Sequence, residues 1–204
     1  MNWRKHIPWS MVFGRALLGP AIAIVAALLD FPEPWIGLMI LAGFFADVYD
    51  GILARRWGTE TSALRIGDSA ADTIFYLGIL AAALERAWPV LRARLVLIAA
   101  LLALEVLRWS FDWLKYRRMA SYHTYASKFW GILLAAASLA VLSFHGPYWM
   151  LTLALIWGIL CDLEGLVISL LLPVWTRDVR TLRSAWVLRR QMLAGDARIP
   201  GDAR

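Results

Sequence analysis

The sequence predicts an all-α integral membrane protein with six transmembrane helices and interfacial helices at both ends, and three observations support this fold class. The 204 residues are 61% hydrophobic and 18% charged, whereas a soluble domain has roughly 45–50% apolar residues. Several apolar stretches approach the roughly 20 residues that a spanning helix needs. Most of the twelve tryptophans fall at the ends of these stretches, at the level of the lipid headgroups. The composition excludes a soluble globular protein, and a single cysteine, Cys161, excludes an intrachain disulfide.

The six spans are predicted from the apolar runs in the order in which they occur. Their expected bounds are Trp9 to Leu29, Trp35 to Arg55, Asp68 to Leu84, Pro89 to Trp109, Ser127 to Phe144 and Tyr148 to Leu172. The sequence contains no internal repeat and no long linker, so we expect residues 1–204 to form a single membrane domain. Its parts are an N-terminal interfacial segment (1–8), a six-helix core (9–172) and a basic cytoplasmic tail (173–204).

Basic residues set the predicted orientation, because lysine and arginine resist translocation across the membrane. Six spans leave both termini on the same side. All but three of the 21 basic residues fall on that side, and the exceptions are Arg86, Arg92 and Arg94 around the link between spans 3 and 4. We therefore expect both termini to be cytoplasmic, in the inner membrane if the protein is bacterial.

The C-terminal tail predicts an amphipathic surface helix between Trp175 and Arg190. Arg177, Arg180 and Arg183 are spaced three residues apart, with apolar residues between them. A basic amphipathic helix of this kind is typical of contact with anionic lipid. Nucleic acid is not expected as a partner of this tail on an integral membrane protein.

Four aspartates carry the strongest functional signal, because carboxylates at membrane depth are rare and costly. Asp47 and Asp50 lie three residues apart near the cytoplasmic end of span 2. Asp68 and Asp72 lie four residues apart where span 3 is predicted to open. At these spacings each pair shares one face of its helix.

The link between the two pairs predicts a tight reversal of the chain. Gly58 is expected to end the first helix, and Thr59, Thr61 and Ser62 are candidate N-caps for the next. With antiparallel helices, all four carboxylates point into one cleft at the cytoplasmic interface. Their mutual repulsion in a low dielectric requires a cation between them.

Carboxylate oxygens from two helices suit Mg²⁺ or Mn²⁺, so we expect all four aspartates to bind metal. Four carboxylates are enough for two ions, which together clamp the oxygens of a phosphoryl transfer. Gly51 and Ala54 are small residues on the same helical face, and they would let a phosphate or nucleotide approach the backbone. Arg55 would supply the charge partner of that phosphate.

At these residues the sequence resembles the CDP-alcohol phosphotransferase family, whose signature is D-x2-D-G-x2-A-R and then, eight or nine residues later, G-x3-D-x3-D. The matching positions are Asp47, Asp50, Gly51, Ala54, Arg55, Asp68 and Asp72. Leu64 stands where the signature has its second glycine, although Gly67 lies nearby. The family's N-terminal opening, P-N-x2-T-x2-R, is matched at Pro8 and Arg15, with other residues at the Asn and Thr positions.

The resemblance implies that an acceptor hydroxyl attacks the β-phosphorus of a CDP-linked donor, such as CDP-diacylglycerol, and that CMP leaves. It assigns metal binding to the first three aspartates of the signature. Asp72 is placed as the general base for the hydroxyl and as a further contact to metal. Gly51, Ala54 and Arg55 are placed in the CDP site. The resemblance also implies a homodimer, and the small residues Ala135 to Ala137 would pack helices either between subunits or within one.

The acceptor site is predicted from a basic cluster on the cytoplasmic side, at the start of span 5. It consists of Lys115, Arg118 and Lys128. These residues would bind the phosphate of an acceptor such as glycerol 3-phosphate or an inositol phosphate, or else only lipid headgroups. Lys128 is the first choice, because the family that the sequence resembles often has a lysine at the entry to span 5.

Three other interpretations stay open from the sequence. The aspartates would have a purely structural role if they paired with Arg55, Arg56 and Arg65 to hold the loop. A prenyltransferase also uses aspartate-rich metal sites, but the compact D-G-x2-A-R spacing disfavours it. A small membrane transporter or cation carrier would use intramembrane carboxylates, although transporters tend to have repeated halves and broken helices near the midplane.

Overall fold

The structure is a computed structural model that describes residues 3–28, 33–118, 122, 124–176 and 179–194. The described residues form helices and no strands, which confirms the all-α class. The helices are α1 (Trp3–Leu28), α2 (Glu33–Trp57), α3 (Ser62–Arg86), α4 (Trp88–Arg92), α5 (Leu95–Tyr116), α6 (Tyr125–Leu142), α7 (Trp149–Leu171) and α8 (Leu182–Leu193).

Within the described residues, five helices are long and apolar enough to cross a membrane: α1 from His6 onward, α2, α3, α6 and α7. The predicted fourth span is not one helix, because α4 ends at Arg92 and α5 begins only at Leu95. α5 is 22 residues long but carries four charged side chains, namely Glu105, Arg108, Asp112 and Lys115. The apolar helices support an integral membrane protein, while the sixth span and the cytoplasmic orientation of the termini stay predictions.

Two helices begin earlier than the sequence predicted. α1 is continuous from Trp3, so residues 3–8 form its first turns and not a separate interfacial helix. Pro8 lies in the second turn of α1, where it has no N–H to donate to the carbonyl four residues before it, so the helix lacks one hydrogen bond there. α3 begins at Ser62, where the Thr61 hydroxyl accepts a hydrogen bond from the Leu64 N–H at 3.1 Å. Asp68 therefore lies inside α3 and not at its start.

The link between α2 and α3 has the predicted chemistry. Gly58 adopts φ +61°, which a glycine tolerates without strain. The Thr59 N–H donates to the Ala54 carbonyl at 2.9 Å, and the Gly58 N–H donates to the Arg55 carbonyl at 3.2 Å. This pair of bonds is a Schellman motif, which ends α2. Together with the Thr61 cap, it reverses the chain within a few residues.

The chain divides into two compact units. Unit 1 consists of Met1–Ala93 and Ala135–Met150, and unit 2 consists of Arg94–Leu134 and Leu151–Arg204. In unit 1, α1 packs extensively on both α2 and α3, whereas α2 and α3 contact each other little. The helix in the middle of this group is therefore α1. Ala135 and Ala137, considered above for helix packing, are buried in the chain.

α1 and α3 meet backbone to backbone at Gly19 and Gly78. A Cβ added to Gly78 would collide with the Gly19 backbone, and a Cβ on Gly19 would collide with the Ile74 carbonyl and the Phe75 Cα. Small residues allow membrane helices to approach this closely. The contact lies one helical turn beyond Arg15, so it fixes the position of that residue relative to α3.

Gly19→Ala is expected to destabilise the protein by about 1–3 kcal/mol, because the added methyl group meets the backbone of α3 and not a movable side chain. The thermal melting temperature of the detergent-solubilised protein measures this effect. Gly14→Ala is the matched control in the same helix, since nothing lies within 4 Å of a Cβ there. Alanine should leave its stability unchanged or raise it by up to about 1 kcal/mol. Equal melting temperatures for the two variants would contradict the close approach.

In unit 2, buried polar groups join α5 to α7. Asp112 and Ser169 are fully buried, and the Ser169 hydroxyl donates to the Asp112 carboxylate. Tyr116 on α5 donates its hydroxyl to the Ser169 carbonyl at 2.8 Å. Farther along the same two helices, Arg108 Nε donates to Asp162 Oδ1 at 2.9 Å. Polar contacts of this kind hold membrane helices together.

The C-terminal helix is present but shorter than predicted. α8 begins at Leu182 and not near Trp175, because Thr181 and Ser184 form a capping box. One face of α8 packs into a buried cluster made of Ile168, Leu172, Val179 and Ala185. Arg177, the first arginine of the predicted pattern, lies outside the described residues. Contact of this helix with anionic lipid stays a prediction.

Candidate metal centre

Five charged side chains from three helices meet in unit 1: Arg15 of α1, Asp47 and Asp50 of α2, and Asp68 and Asp72 of α3. The aspartates lie at two levels along their helices. At 1.5 Å per residue, Asp50 and Asp68 are about 10 Å from the linked ends of α2 and α3, and Asp47 and Asp72 are about 15 Å from them. Each level therefore has one carboxylate from each helix.

The Arg15 guanidinium connects the two levels. Its Nη1 pairs with Asp47 and, at 3.0 Å, with Asp72 Oδ1. Its Nη2 pairs with Asp68 and lies 3.7 Å from Asp50 Oδ2. Nη2 also lies 3.3 Å from the main-chain carbonyl oxygen of Asp68, to which it donates. Each amino group of the guanidinium thus contacts one carboxylate from α2 and one from α3.

Arg15 replaces the loop arginines as the partner of the aspartates. Arg65 pairs with Glu60 at 3.2 Å, and every ion pair that the four aspartates form within the described residues goes to Arg15. The interpretation that the aspartates pair with Arg55, Arg56 and Arg65 is therefore wrong, because their partner is Arg15. The need for a cation among the carboxylates was expected, but Arg15 was considered only as an orientation charge and as part of the family's N-terminal opening, not as the partner of the aspartates. A signal was present, since an arginine within an apolar run has to face the protein interior.

The carboxylates have the chemistry of a site for a divalent ion. Oxygens of Asp47, Asp50 and Asp68 lie within 4.8 Å of one another. Asp50 is only 4% exposed, and its Oδ2 is buried without a hydrogen-bond partner. Hard oxygen ligands of this kind, one of them unsatisfied, fit Mg²⁺ or Mn²⁺. Asp72, predicted as a fourth ligand, is not one of these three residues.

Of the three predicted CDP-site residues, Gly51 and Arg55 are accessible and Ala54 is buried. The Arg55 guanidinium lies beside Gly51, where a Cβ would be 3.3 Å from its Nη1. Arg55 is exposed and Gly51 is half-buried. Ala54 is 3% exposed and packs in a core cluster with Val12, Leu64 and Ala71. Leu64, at the position of the signature's second glycine, thus fills the core beneath the α2–α3 link.

The three predicted acceptor residues lie in unit 2 and have separate contacts in the described part of the chain. Lys115 Nζ donates to the Ser169 carbonyl at 2.6 Å, at the C-terminal end of α7. Arg118 lies over the Trp175 ring, 5.6 Å from its centroid. Lys128 lies over the Tyr125 ring at 5.8 Å, in the first turn of α6. None of these contacts joins one of the three basic residues to another.

A comparison with protein families adds to this geometry. The family model for CDP-alcohol phosphatidyltransferase matches residues 5–188, a range that includes Arg15 and all four aspartates. No curated protein and no solved structure matches the chain. The family match covers most of the sequence, and the signature aspartates meet in one place. The chain belongs to the CDP-alcohol phosphatidyltransferase family, whose members transfer phosphate-containing groups in phospholipid synthesis.

Proposed function

We propose that the protein transfers the phosphatidyl group of CDP-diacylglycerol to the hydroxyl of a polar alcohol and releases CMP, in a reaction that needs Mg²⁺ or Mn²⁺. The observation that supports this proposal is the meeting of the four signature aspartates around one arginine. A single guanidinium leaves an excess of negative charge, which divalent ions would balance. We also expect a homodimer whose active site faces the cytoplasm.

Asp47, Asp50 and Asp68 are the proposed metal ligands, with Asp72 as a further contact, and their number suits two ions. When bound, the ions neutralise the charge of the donor diphosphate and of the departing phosphate. Three aspartate side chains, those of Asp47, Asp68 and Asp72, are 42%, 38% and 41% exposed. A donor and an acceptor would reach the carboxylates from this exposed side.

Asp72 is the proposed general base. Its Oδ1 is held by Arg15 at 3.0 Å, which leaves Oδ2 for the acceptor hydroxyl. As Asp72 takes the hydroxyl proton, the acceptor oxygen forms a bond to the β-phosphorus of the donor. The bond from that phosphorus to the bridging oxygen breaks, and the bridging oxygen leaves on CMP. Asp72 then releases its proton to water, which restores the carboxylate.

Gly51, Ala54 and Arg55 are the proposed donor site. The exposed Arg55 guanidinium is a suitable partner for a phosphate oxygen, and the adjacent Gly51 has no side chain to obstruct the approach. Ala54 would support the donor site from the protein core, because its packing with Val12 and Leu64 holds this turn of α2 in place.

For the acceptor, we propose binding of its phosphate by Lys128, with Arg118 and Lys115 nearby in the sequence. Lys128→Ala is expected to raise the KM for glycerol 3-phosphate or an inositol phosphate by about tenfold or more, because a charged hydrogen bond is lost. The kcat should change little. Steady-state kinetics with varied acceptor measure both constants.

Lys115→Ala is the matched comparison, since Lys115 already donates to the end of α7. This variant should lower the melting temperature, while its KM for the acceptor should stay close to that of the unmodified protein. An unchanged KM in Lys128→Ala would remove Lys128 from the acceptor site. A larger rise of KM in Lys115→Ala would transfer the role to that residue.

The acceptor is identified by incubating the purified full chain in lipid micelles with CDP-diacylglycerol, Mn²⁺ or Mg²⁺ and a panel of alcohols. CMP release with one acceptor class is the expected result, and no release with any acceptor would count against the proposal.

The cation-carrier alternative is not favoured, because the chain belongs to a transferase family. A cation flux in liposomes that disappears in Asp47→Asn would revive it.

A further inference from the structure

We propose that Arg15 is a permanent counter-cation of the metal centre, which holds the four carboxylates together before metal arrives and keeps the affinity for the ion low. This makes Arg15 a positioning residue, and the inference rests on the proposed metal binding at the aspartates. The inference is based on the ion pairs between the Arg15 guanidinium and one carboxylate oxygen of each of the four aspartates.

Arg15 and the metal would approach the carboxylates from opposite sides. The Arg15 side chain is 0% exposed, so its guanidinium reaches the aspartates from inside the protein. The side chains of Asp47, Asp68 and Asp72 are about two-fifths exposed, so each is also accessible from outside. Asp47, Asp68 and Asp72 each give Oδ1 to Arg15, so the second oxygen of each stays available for an ion.

Arg15 is also fixed in place by the packing of α1. One turn beyond it, Gly19 lies against the backbone of α3 with no room for a methyl group. One turn before it, Val12 is buried in a cluster with Ala54 and Leu64. Packing on both sides therefore fixes the backbone of α1 at Arg15, which keeps the buried guanidinium beside the aspartates. We infer that it stays among the carboxylates when metal binds.

The charges then predict the effect of Arg15 on metal affinity. Four carboxylates and one guanidinium with one divalent ion sum to one negative charge, and with two ions to one positive charge. A site with an excess positive charge suits the diphosphate of the donor. The same guanidinium repels a divalent ion a few ångströms away, and this repulsion is strong in a partly buried site. Arg15 should thus weaken metal binding.

The test measures Mn²⁺ binding to the detergent-solubilised full chain, by the loss of the free-ion electron paramagnetic resonance signal. Arg15→Met is expected to bind Mn²⁺ at least about tenfold more tightly than the unmodified protein, because the nearby positive charge is gone. Arg15→Lys keeps the charge and should stay within a few-fold of the unmodified protein. Asp50→Asn removes a ligand and should bind more weakly. General damage to the site would weaken binding in all three variants.

Weaker or unchanged Mn²⁺ binding by folded Arg15→Met would overturn the inference. If Arg15→Met does not fold, Arg15→Gln is the second neutral variant, since it keeps two N–H donors. If the neutral variants fold only with Mn²⁺ present, the metal has replaced the lost counter-charge, which supports the inference. Failure of both to fold with and without Mn²⁺ would overturn it.

CMP release separates this inference from the proposed function. If the unmodified protein releases CMP but Arg15→Met binds Mn²⁺ no more tightly, the inference fails and the function stands. If Arg15→Met binds Mn²⁺ more tightly but the unmodified protein releases no CMP with any acceptor, the proposed function fails and the role of Arg15 stands.

Discussion

Asp72→Asn is expected to lower the rate of CMP release by about 10²- to 10⁴-fold, the usual contribution of a general base. An amide cannot take the proton of the acceptor hydroxyl, although it has nearly the shape of the carboxylate. Asp72 is not among the three aspartates whose oxygens lie within 4.8 Å of one another. Mn²⁺ binding should therefore fall less in this variant than in Asp50→Asn. The measurement is kcat for CMP release at saturating metal.

Glu60→Gln is the matched control for Asp72→Asn. It also converts a carboxylate to an amide, but Glu60 pairs with Arg65 in the α2–α3 link, outside the metal centre. Its kcat should stay within a few-fold of the unmodified protein. A rate for Asp72→Asn as high as that of the control would remove Asp72 from the chemistry.

Asp50→Asn is expected to weaken metal binding and, at the same time, to stabilise the metal-free protein. Asp50 is 4% exposed, its Oδ2 lacks a hydrogen-bond partner, and the nearest guanidinium nitrogen is 3.7 Å away. Loss of this ligand should weaken metal binding by at least about 10- to 100-fold, because removing even a group that only hydrogen-bonds to a metal ligand has an effect of that size. In the metal-free protein, a neutral side chain relieves repulsion among the carboxylates. The melting temperature without metal should therefore rise by a few degrees.

The stability measurement needs Asp50→Asn and the unmodified protein with and without Mn²⁺. Mn²⁺ should raise the melting temperature of the unmodified protein, because a ligand of the folded state stabilises that state. It should have little effect on Asp50→Asn. A lower metal-free melting temperature in the variant, with undiminished stabilisation by Mn²⁺, would show that Asp50 is a structural residue and not a ligand.

Local sequence signals were reliable where the deciding interactions are local. The glycine at position 58 and the hydroxyl at position 61 end one helix and begin the next through contacts within five residues. The aspartate pairs share helical faces because of their spacing alone. The all-α class followed from composition, since apolar stretches of this length have few other stable structures in a membrane.

Helix limits were less predictable, because the apolar runs do not coincide with the helices. Residues 62–67 contain Arg65 and lie outside the apolar run that predicts span 3, yet they form the first turns of α3. The apolar run that begins at Pro89 reads as one span, yet a break at Ala93 and Arg94 divides it into α4 and α5. Capping and tertiary packing decide such limits, and a hydropathy pattern contains neither.

The place of Arg15 was not predictable from local pattern. Its four carboxylate partners lie at least 32 residues away in the sequence, on two other helices. Charge counting assigned it to topology and the resemblance matched it to the family's N-terminal opening, but only the packing of α1 on both α2 and α3 brings it to the aspartates. Lys115 is a similar case, because its contact with the end of α7 depends on how α5 and α7 pack.

Metal-dependent transfer from a CDP-linked lipid is the reaction that we propose for the aspartates gathered around Arg15. The most direct measurement follows CMP release from CDP-diacylglycerol by the full chain in micelles, with a phosphorylated alcohol as acceptor. The protein is first stripped with a chelator, and Mn²⁺ is then restored. We predict no release after stripping, full recovery with Mn²⁺, and no recovery in Asp50→Asn. Undiminished release by the stripped protein, or full recovery in Asp50→Asn, would contradict the claim.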